Sequence, residues 1–144
     1  MQSPAGASST ITAAEIMTPF AIAVQPETLL VDAVAIMVDR KIRHLPVVDT
    51  SSAIVGILSD RDIRTAVGDP HAFAAQHAAE THGLRVLHLM RRSPSTIPFD
   101  LPFRDVVHQL GEGRHGALPV TDRFGALIGI VSYIDVLRYQ LAAT

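Results

Sequence analysis

Cysteine and tryptophan are missing from this 144-residue chain, and aromatic side chains make up only 5% of it. Neither sign of charge dominates, with 12 Lys and Arg against 14 Asp and Glu and a formal charge of −2. Without cysteine there are no disulfide staples, no CxxC redox pair, no thiolate zinc site and no thiol nucleophile, and a reducing compartment fits. A near-neutral chain also lacks the broad positive field that drives non-specific nucleic-acid binding, although a few Arg can still hold one phosphate-bearing ligand. No apolar run approaches the roughly 18–20 residues that span a bilayer, and the first ten residues have neither the basic nor the apolar segment of a secretory signal. We therefore expect a cytoplasmic protein without a membrane partner. What is present is a large apolar fraction, 48%, enough to bury a real core in a chain of domain size.

The chain repeats itself at an offset of 73 residues, and a repeat decides a fold more strongly than local propensity does. At that shift HLPVVDTSSAIVGILSDRDI, from His44 to Ile63, lies without a gap on ALPVTDRFGALIGIVSYIDV, from Ala117 to Val136. Met17 falls on Met90 and Asp32 on Asp105. We divide the chain into a flexible tail at 1–13, a first repeat at 14–66, a helical linker at 67–86 and a second repeat at 87–140.

Within the first repeat, Ala21 to Val24 is a short extended segment stopped by Pro26, which cannot donate to a ladder. A helix follows, with Thr28 as its cap, because Leu30, Ala33, Val34 and Met37 recur at the spacing of one buried face. His44 to Val48 and Ile54 to Leu58 are β-rich runs around Asp49-Thr50-Ser51-Ser52, which makes them a hairpin. A last helix starts at Ser59. In the second repeat Phe103, Val106, Val107 and Leu110 form the helical face, and Asp122-Arg123-Phe124-Gly125 the turn. Between the repeats, an Ala-rich helix is expected with Asp69 as its cap and Gly83 as its close. One such unit leaves a sheet face uncovered. The fold class is therefore α+β, two β-α-β-β-α repeats related by a pseudo-two-fold and packed sheet to sheet.

The strongest chemical signal is Gly-apolar-apolar-Ser-x-x-Asp, written GILSDRD at Gly56 to Asp62 and GIVSYID at Gly129 to Asp135. Ser-x-x-Asp at a strand-to-helix junction is close to a capping box, in which each side chain satisfies an amide of the other's backbone. The same geometry serves a ligand: free amides at a helix start favour an anion, and a carboxylate accepts two hydrogen bonds from a ribose diol.

Met-Thr-Pro before the first strand, His-Leu-Pro-Val-Val-Asp in the hairpin and Gly-Ile-Leu-Ser-Asp-Arg-Asp at the last helix occur in order, and the series is repeated. This pattern resembles a tandem cystathionine-β-synthase (CBS) domain pair, or Bateman module, over nearly the whole chain. The resemblance implies a regulatory module that binds an adenine nucleotide (AMP, ADP or ATP) or S-adenosylmethionine between its repeats, and commonly a homodimer. It implies a first site in which Thr18, Ile22 and Ala23 meet the adenine, Leu45 and Pro46 form an apolar wall, and Arg43 and His44 reach phosphate. Ser132 would contact the ribose-phosphate and Asp135 the ribose hydroxyls. A second, weaker site would use Ser95, Thr96, Ala117, Leu118 and Pro119 with Ser59 and Asp62. It departs from the pattern: Arg91 replaces the Thr after Met, and Gly116 and Ala117 replace Arg43 and His44. Arg61 and Arg92 are candidate phosphate partners there.

Other candidates carry less. His71, His77 and His82 do not share the i, i+4 spacing of a helical metal pair, so we assign no metal site. His44 and His115 lie near the implied clefts, while Met17, Met37 and Met90 read as core. There is no Gly-x-Ser-x-Gly elbow, no P-loop and no defensible triad, so no catalytic residue and no catalytic cofactor is assigned. We expect a non-enzymatic, stand-alone sensor that holds its nucleotide and signals through conformation or a partner protein. The alternative is an interaction module whose Ser-x-x-Asp motifs only cap helices and whose faces dock on an enzyme or transporter. Nucleic-acid binding by the Arg-bearing edge is a third and weaker reading.

Overall fold

A computed structural model describes residues 10–19, 21–75, 83–113 and 116–143. Thr12 opens a short helix, α1 (Ala13–Ile16), where Glu15 Oε1 accepts from the Thr12 amide at 3.1 Å. A two-residue strand follows, β1 (Thr18–Pro19), then helix α2 (Leu30–Arg40), strands β2 (His44–Val48) and β3 (Ile54–Ser59), and helices α3 (Asp60–Val67) and α4 (Pro70–Ala75). A 3-10 turn at Val86–His88 restarts the order. Next come β4 (Arg91–Arg92), β5 (Ile97–Pro98), α5 (Phe103–Glu112), β6 (Ala117–Thr121), β7 (Leu127–Ser132) and α6 (Tyr133–Ala143). The class is α+β, as the repeat pattern implied.

The compact units do not follow the sequence repeats. One unit joins Met1–Ala21 to Ser95–Thr144, and the other is Ile22–Pro94. In the first, the sheet runs β1-β7-β6-β5; Thr18 pairs with Ile130 and Pro19 with Gly129, while Ile97 lies parallel to Val120. In the second, the sheet runs β2-β3-β4; Arg91 pairs with Ile57 and Arg92 with Gly56, and Val24 bridges Val47 in parallel. Each lead-in strand is thus hydrogen-bonded to the hairpin of the other sequence repeat. The same exchange caps the helices: Leu30 N donates to Leu84 O at 2.8 Å, and Phe103 N to Ile11 O at 2.7 Å. A neighbouring carbonyl takes an amide that the helix itself leaves without a partner.

Each unit has its own core. Leu30, Ala33, Val34 and Met37 line the buried face of α2 against Leu45, Val47, Leu58 and Ile63. Val106 and Leu110 do so for α5 against Leu118, Val120 and Val131, with Ile97 beside them. The hairpin turns use one device twice. Asp49 Oδ1 accepts from Ser51 N at 2.8 Å, the Ser51 hydroxyl at 2.7 Å and Ala53 N at 3.1 Å, and Asp122 Oδ1 accepts from Phe124 N and Ala126 N. The left-handed residue of each turn is Ser52 (φ 68°) or Gly125 (φ 84°). The Ser51 hydroxyl, followed by the two amides, holds the Asp49 carboxyl below its ordinary pKa.

Three expectations need correction. Thr28 does not cap α2: its Oγ1 accepts from Gln25 N at 3.2 Å, Leu84 O accepts from Leu30 N in place of a side-chain cap, and Leu29 takes the cap position. Val107 is 39% exposed, because the inward face of α5 is taken by Phe103, Val106 and Leu110 at i, i+3 and i+7, and Val107 lies beside that arc. Ala21 to Val24 makes no continuous strand, since Val24 alone bridges the sheet. Asp69 does cap the start of the linker helix, its Oδ2 accepting from Ala72 N at 2.9 Å, and Phe73 on that helix is buried. The tail up to residue 9, the linker at 76–82 with His77 and His82, and His115 lie outside the described residues.

Candidate functional site

The doubled Ser-x-x-Asp motif falls where a strand becomes a helix in both units. Ser59 ends β3 and caps α3, accepting from Asp62 N at 3.1 Å, while its hydroxyl donates to Asp62 Oδ2 at 2.8 Å. Ser132 ends β7 ahead of α6, and there the reciprocal half of the box forms: Asp135 Oδ2 accepts from Ser132 N at 2.9 Å and from the Ser132 hydroxyl at 3.2 Å. Each copy closes one half of the capping box.

A third group completes each cluster. Thr18 Oγ1 donates to Asp135 Oδ1 at 3.0 Å across 117 positions of sequence. At the equivalent place in the other unit, Arg91 Nη2 lies 3.2 Å from Asp62 Oδ1. Both approaches depend on glycine. A Cβ on Gly129 would overlap Met17 Sδ and stand 2.8 Å from the Thr18 carbonyl oxygen; one on Gly56 would stand 2.7 Å from Met90 Sδ and 3.0 Å from the Arg91 carbonyl oxygen. Only a residue without Cβ admits the lead-in strand this closely. Thus the glycine of GIVSYID seats the strand that brings Thr18 to the aspartate of the same motif.

Asp135 is 8% exposed, and among the described residues Ser59 in the other unit is the second buried polar side chain. A charged carboxylate at that depth requires hydrogen-bond donors, and Ser132 and Thr18 supply them. The resulting cluster is a carboxylate acceptor with two hydroxyls and the Ser132 amide as donors, and the exposed Arg138 guanidinium 3.8 Å away. It holds no group poised as nucleophile and base.

The other residues read from the sequence divide between the units. Thr18, Ser132 and Asp135 come together in one, with buried Ala117, Leu118 and Pro119 in β6, an inner strand of the same sheet, and exposed Ser95 and Thr96 before β5. In the other, Leu45 and Pro46 are buried in β2, Ile22 and Ala23 are half-buried, and Ser59 and Asp62 meet at α3 beside exposed Arg61. His44 is half-buried at the start of β2. Arg43 is exposed and lines a groove of about 370 Å³ at the ends of α2 and α3, with Lys41, Asp60 and Arg64. Asp60 accepts from Arg64 Nε at 2.8 Å, and that bond raises the Arg64 pKa. Sequence reasoning missed the Thr18–Asp135 bond and the Arg91–Asp62 pair; the signal that could have found them was the shared offset of 73 between Thr18 and Arg91 and between the two aspartates.

No group of three or more His, Cys, Asp or Glu able to hold a metal lies among the described residues. None of their helices is long and apolar enough to cross a membrane.

Comparison with known proteins agrees with this architecture. The family model described as CBS domain matches twice, at residues 13–69 and 86–142. The chloroplastic CBS domain-containing protein CBSX2 of Arabidopsis thaliana is 29% identical over 137 residues, which cover 82% of this chain and 58% of CBSX2. A CBS domain-containing protein of Dictyostelium discoideum is 30% identical over 127 residues, 85% of this chain and 86% of that protein. The crystal structure of CBSX2 in complex with AMP superposes with a TM-score of 0.77 at 31% identity, covering 92% of this chain and 97% of that one.

Proposed function

The chain belongs to the CBS domain family, and from that footing we propose that it is a regulatory module that binds an adenosine-containing ligand, with AMP, ADP and ATP as the candidates and S-adenosylmethionine as a further one. The observation that carries this is the Thr18–Ser132–Asp135 cluster: a buried carboxylate with neutral hydroxyl partners. Threonine and serine hydroxyls rotate, so they can release carboxylate lone pairs to an incoming vicinal diol. The AMP complex of CBSX2 supports the choice of adenosine. In this reading the nucleotide is held rather than consumed, and the regulatory energy is its difference in affinity between two states of the module. Ile22, Ala23, Leu45 and Pro46 serve the base and Arg43 and His44 the phosphate, while a weaker second site draws on Ser59, Arg61, Asp62, Ser95, Thr96, Ala117, Leu118 and Pro119.

A homodimer and a regulated partner protein belong to the same proposal. Tyr133, Ile134 and Leu137, roughly half exposed on α6, are apolar surface that a second copy would bury. A cytoplasmic location is also proposed; CBSX2 is named as chloroplastic, and cell fractionation decides for this protein.

The test is a thermal-shift screen with AMP, ADP, ATP and S-adenosylmethionine, followed by calorimetry. A ligand that binds only the native state adds about 2.7 kcal/mol at 100 times its Kd. The sensor reading expects one such shift, abolished by Asp135→Ala. The interaction-module reading is favoured by the half capping boxes seen at both motifs. It expects no shift, and a cost of about 0.5–2 kcal/mol from Asp135→Ala with no change in binding.

A further inference from the structure

The two motif aspartates are held by different chemistry. Within hydrogen-bond distance, Asp135 has the donors Thr18 Oγ1 (3.0 Å), Ser132 N (2.9 Å) and Ser132 Oγ (3.2 Å), all neutral. Arg138 Nη1 stands off at 3.8 Å on a side chain that is 74% exposed. Asp62 has the Ser59 hydroxyl at 2.8 Å and, in addition, the Arg91 guanidinium. Arg91 Nε lies 3.3 Å from Oδ1 and 3.4 Å from Oδ2, and Nη2 lies 3.2 Å from Oδ1. Position 91 is the 73-residue repeat of position 18, so a guanidinium stands where the other unit has a hydroxyl.

The exchange changes what the carboxylate can accept. A threonine hydroxyl both donates and accepts, and on turning away it leaves Asp135 Oδ1 to a diol, with only the exposed Arg138 guanidinium 3.8 Å off. A guanidinium only donates, and here its Nε reaches both oxygens while Nη2 adds to Oδ1, which offsets the charge that would strengthen a diol's hydrogen bonds. Nor is Arg91 free to wander. Its backbone is paired with Ile57 and runs against Gly56, two and three residues before Ser59 on the strand that ends at the motif.

We propose that Arg91 is a built-in occupant of the ribose-type carboxylate of the Ile22–Pro94 unit, Asp62, closing it to adenosine, so that of the two motif aspartates Asp135 is the one left open. This rests on the reading of Asp135 as a ribose acceptor. The side chain of Arg91 is 48% exposed and that of Asp62 only 15%. A pair with one exposed partner is weak. The closure is therefore reversible, and one substitution opens it.

The experiment is calorimetry with AMP on the full chain and on Arg91→Thr, with Arg91→Gln as the substitute should the first variant fail to fold. The parent is expected to bind one AMP, lost in Asp135→Ala. Arg91→Thr is expected to bind a second, at least about tenfold tighter than any second event in the parent. That second event should persist when Asp135→Ala is added and vanish when Asp62→Ala is added. A variant with the parent's stoichiometry and affinity, whether the parent binds one AMP or none, overturns the proposal, as do two equal events in the parent. A parent that binds nothing beside an Arg91→Thr variant that does bind overturns Asp135 as the open carboxylate while upholding the closure of Asp62 by Arg91.

Discussion

Gly129 and Met17 are so close that the absent Cβ of one is the space occupied by the sulfur of the other. The contact recurs 73 residues earlier and later, between Gly56 and Met90, so each methionine lies over the glycine of a Ser-x-x-Asp motif rather than merely filling a core. It is what lets a two-residue strand dock on the hairpin and carry Thr18 or Arg91 to its aspartate.

Gly129→Ala is expected to destabilise the protein by about 1–3 kcal/mol in chemical denaturation, the usual cost of overpacking. Adding Met17→Ala should recover part of that loss but not all, because the Thr18 carbonyl oxygen still stands 2.8 Å from the new methyl. Strict additivity in the double-mutant cycle would show that the two residues do not touch.

Ser59→Ala is expected to cost about 1 kcal/mol of stability, since it removes the side chain that accepts from Asp62 N. Ser132→Ala should cost less, because the Ser132 hydroxyl donates to the Asp135 carboxylate and the Ser132 backbone amide keeps the main bond. Equal losses in thermal melts of the two variants would contradict this assignment.

The Asp49 turn gives a pH dependence of known sign. The Ser51 hydroxyl and the amides of Ser51 and Ala53 lower the folded-state pKa of Asp49, so the unfolded chain binds its proton more readily. The stabilisation is complete above the unfolded value of about 3.9 and is lost as pH falls through the lower folded value. Asp49→Asn should flatten that part of the acid limb in a pH series of melts, and a variant whose acid limb matches the parent's would refute the assignment.

Ile134→Glu with Leu137→Glu tests the proposed homodimer. Both side chains are more than half exposed on α6, so the monomer fold should survive while a dimer that buries them does not form. Light scattering should report a shift from twice the chain mass to the chain mass. A dimer that persists unchanged would place the contact elsewhere.

Local pattern accounts for much of what is seen. The i, i+3, i+4, i+7 spacing of Leu30, Ala33, Val34 and Met37 put those four side chains in the core, and the two β-rich runs around Asp49 formed the expected hairpin. The Ser59 cap was legible because its partner lies only three residues away. Thr28 was misread because the start of α2 is satisfied by Leu84 O, a partner 54 positions distant that local spacing does not reveal.

The sequence by itself determined that there are two matching repeats, each with a hairpin, two helices and a Ser-x-x-Asp turn, because periodicity, turn residues and capping act over a few positions. Tertiary structure alone decided which hairpin each lead-in strand would join. A repeated chain offers that strand two nearly identical edges, one in its own repeat and one in the other. The ladder hydrogen bonds are the same in kind on both. The pairings Thr18 with Ile130 and Arg91 with Ile57 settle the choice, and with it the facts that Asp135 meets a hydroxyl and Asp62 a guanidinium.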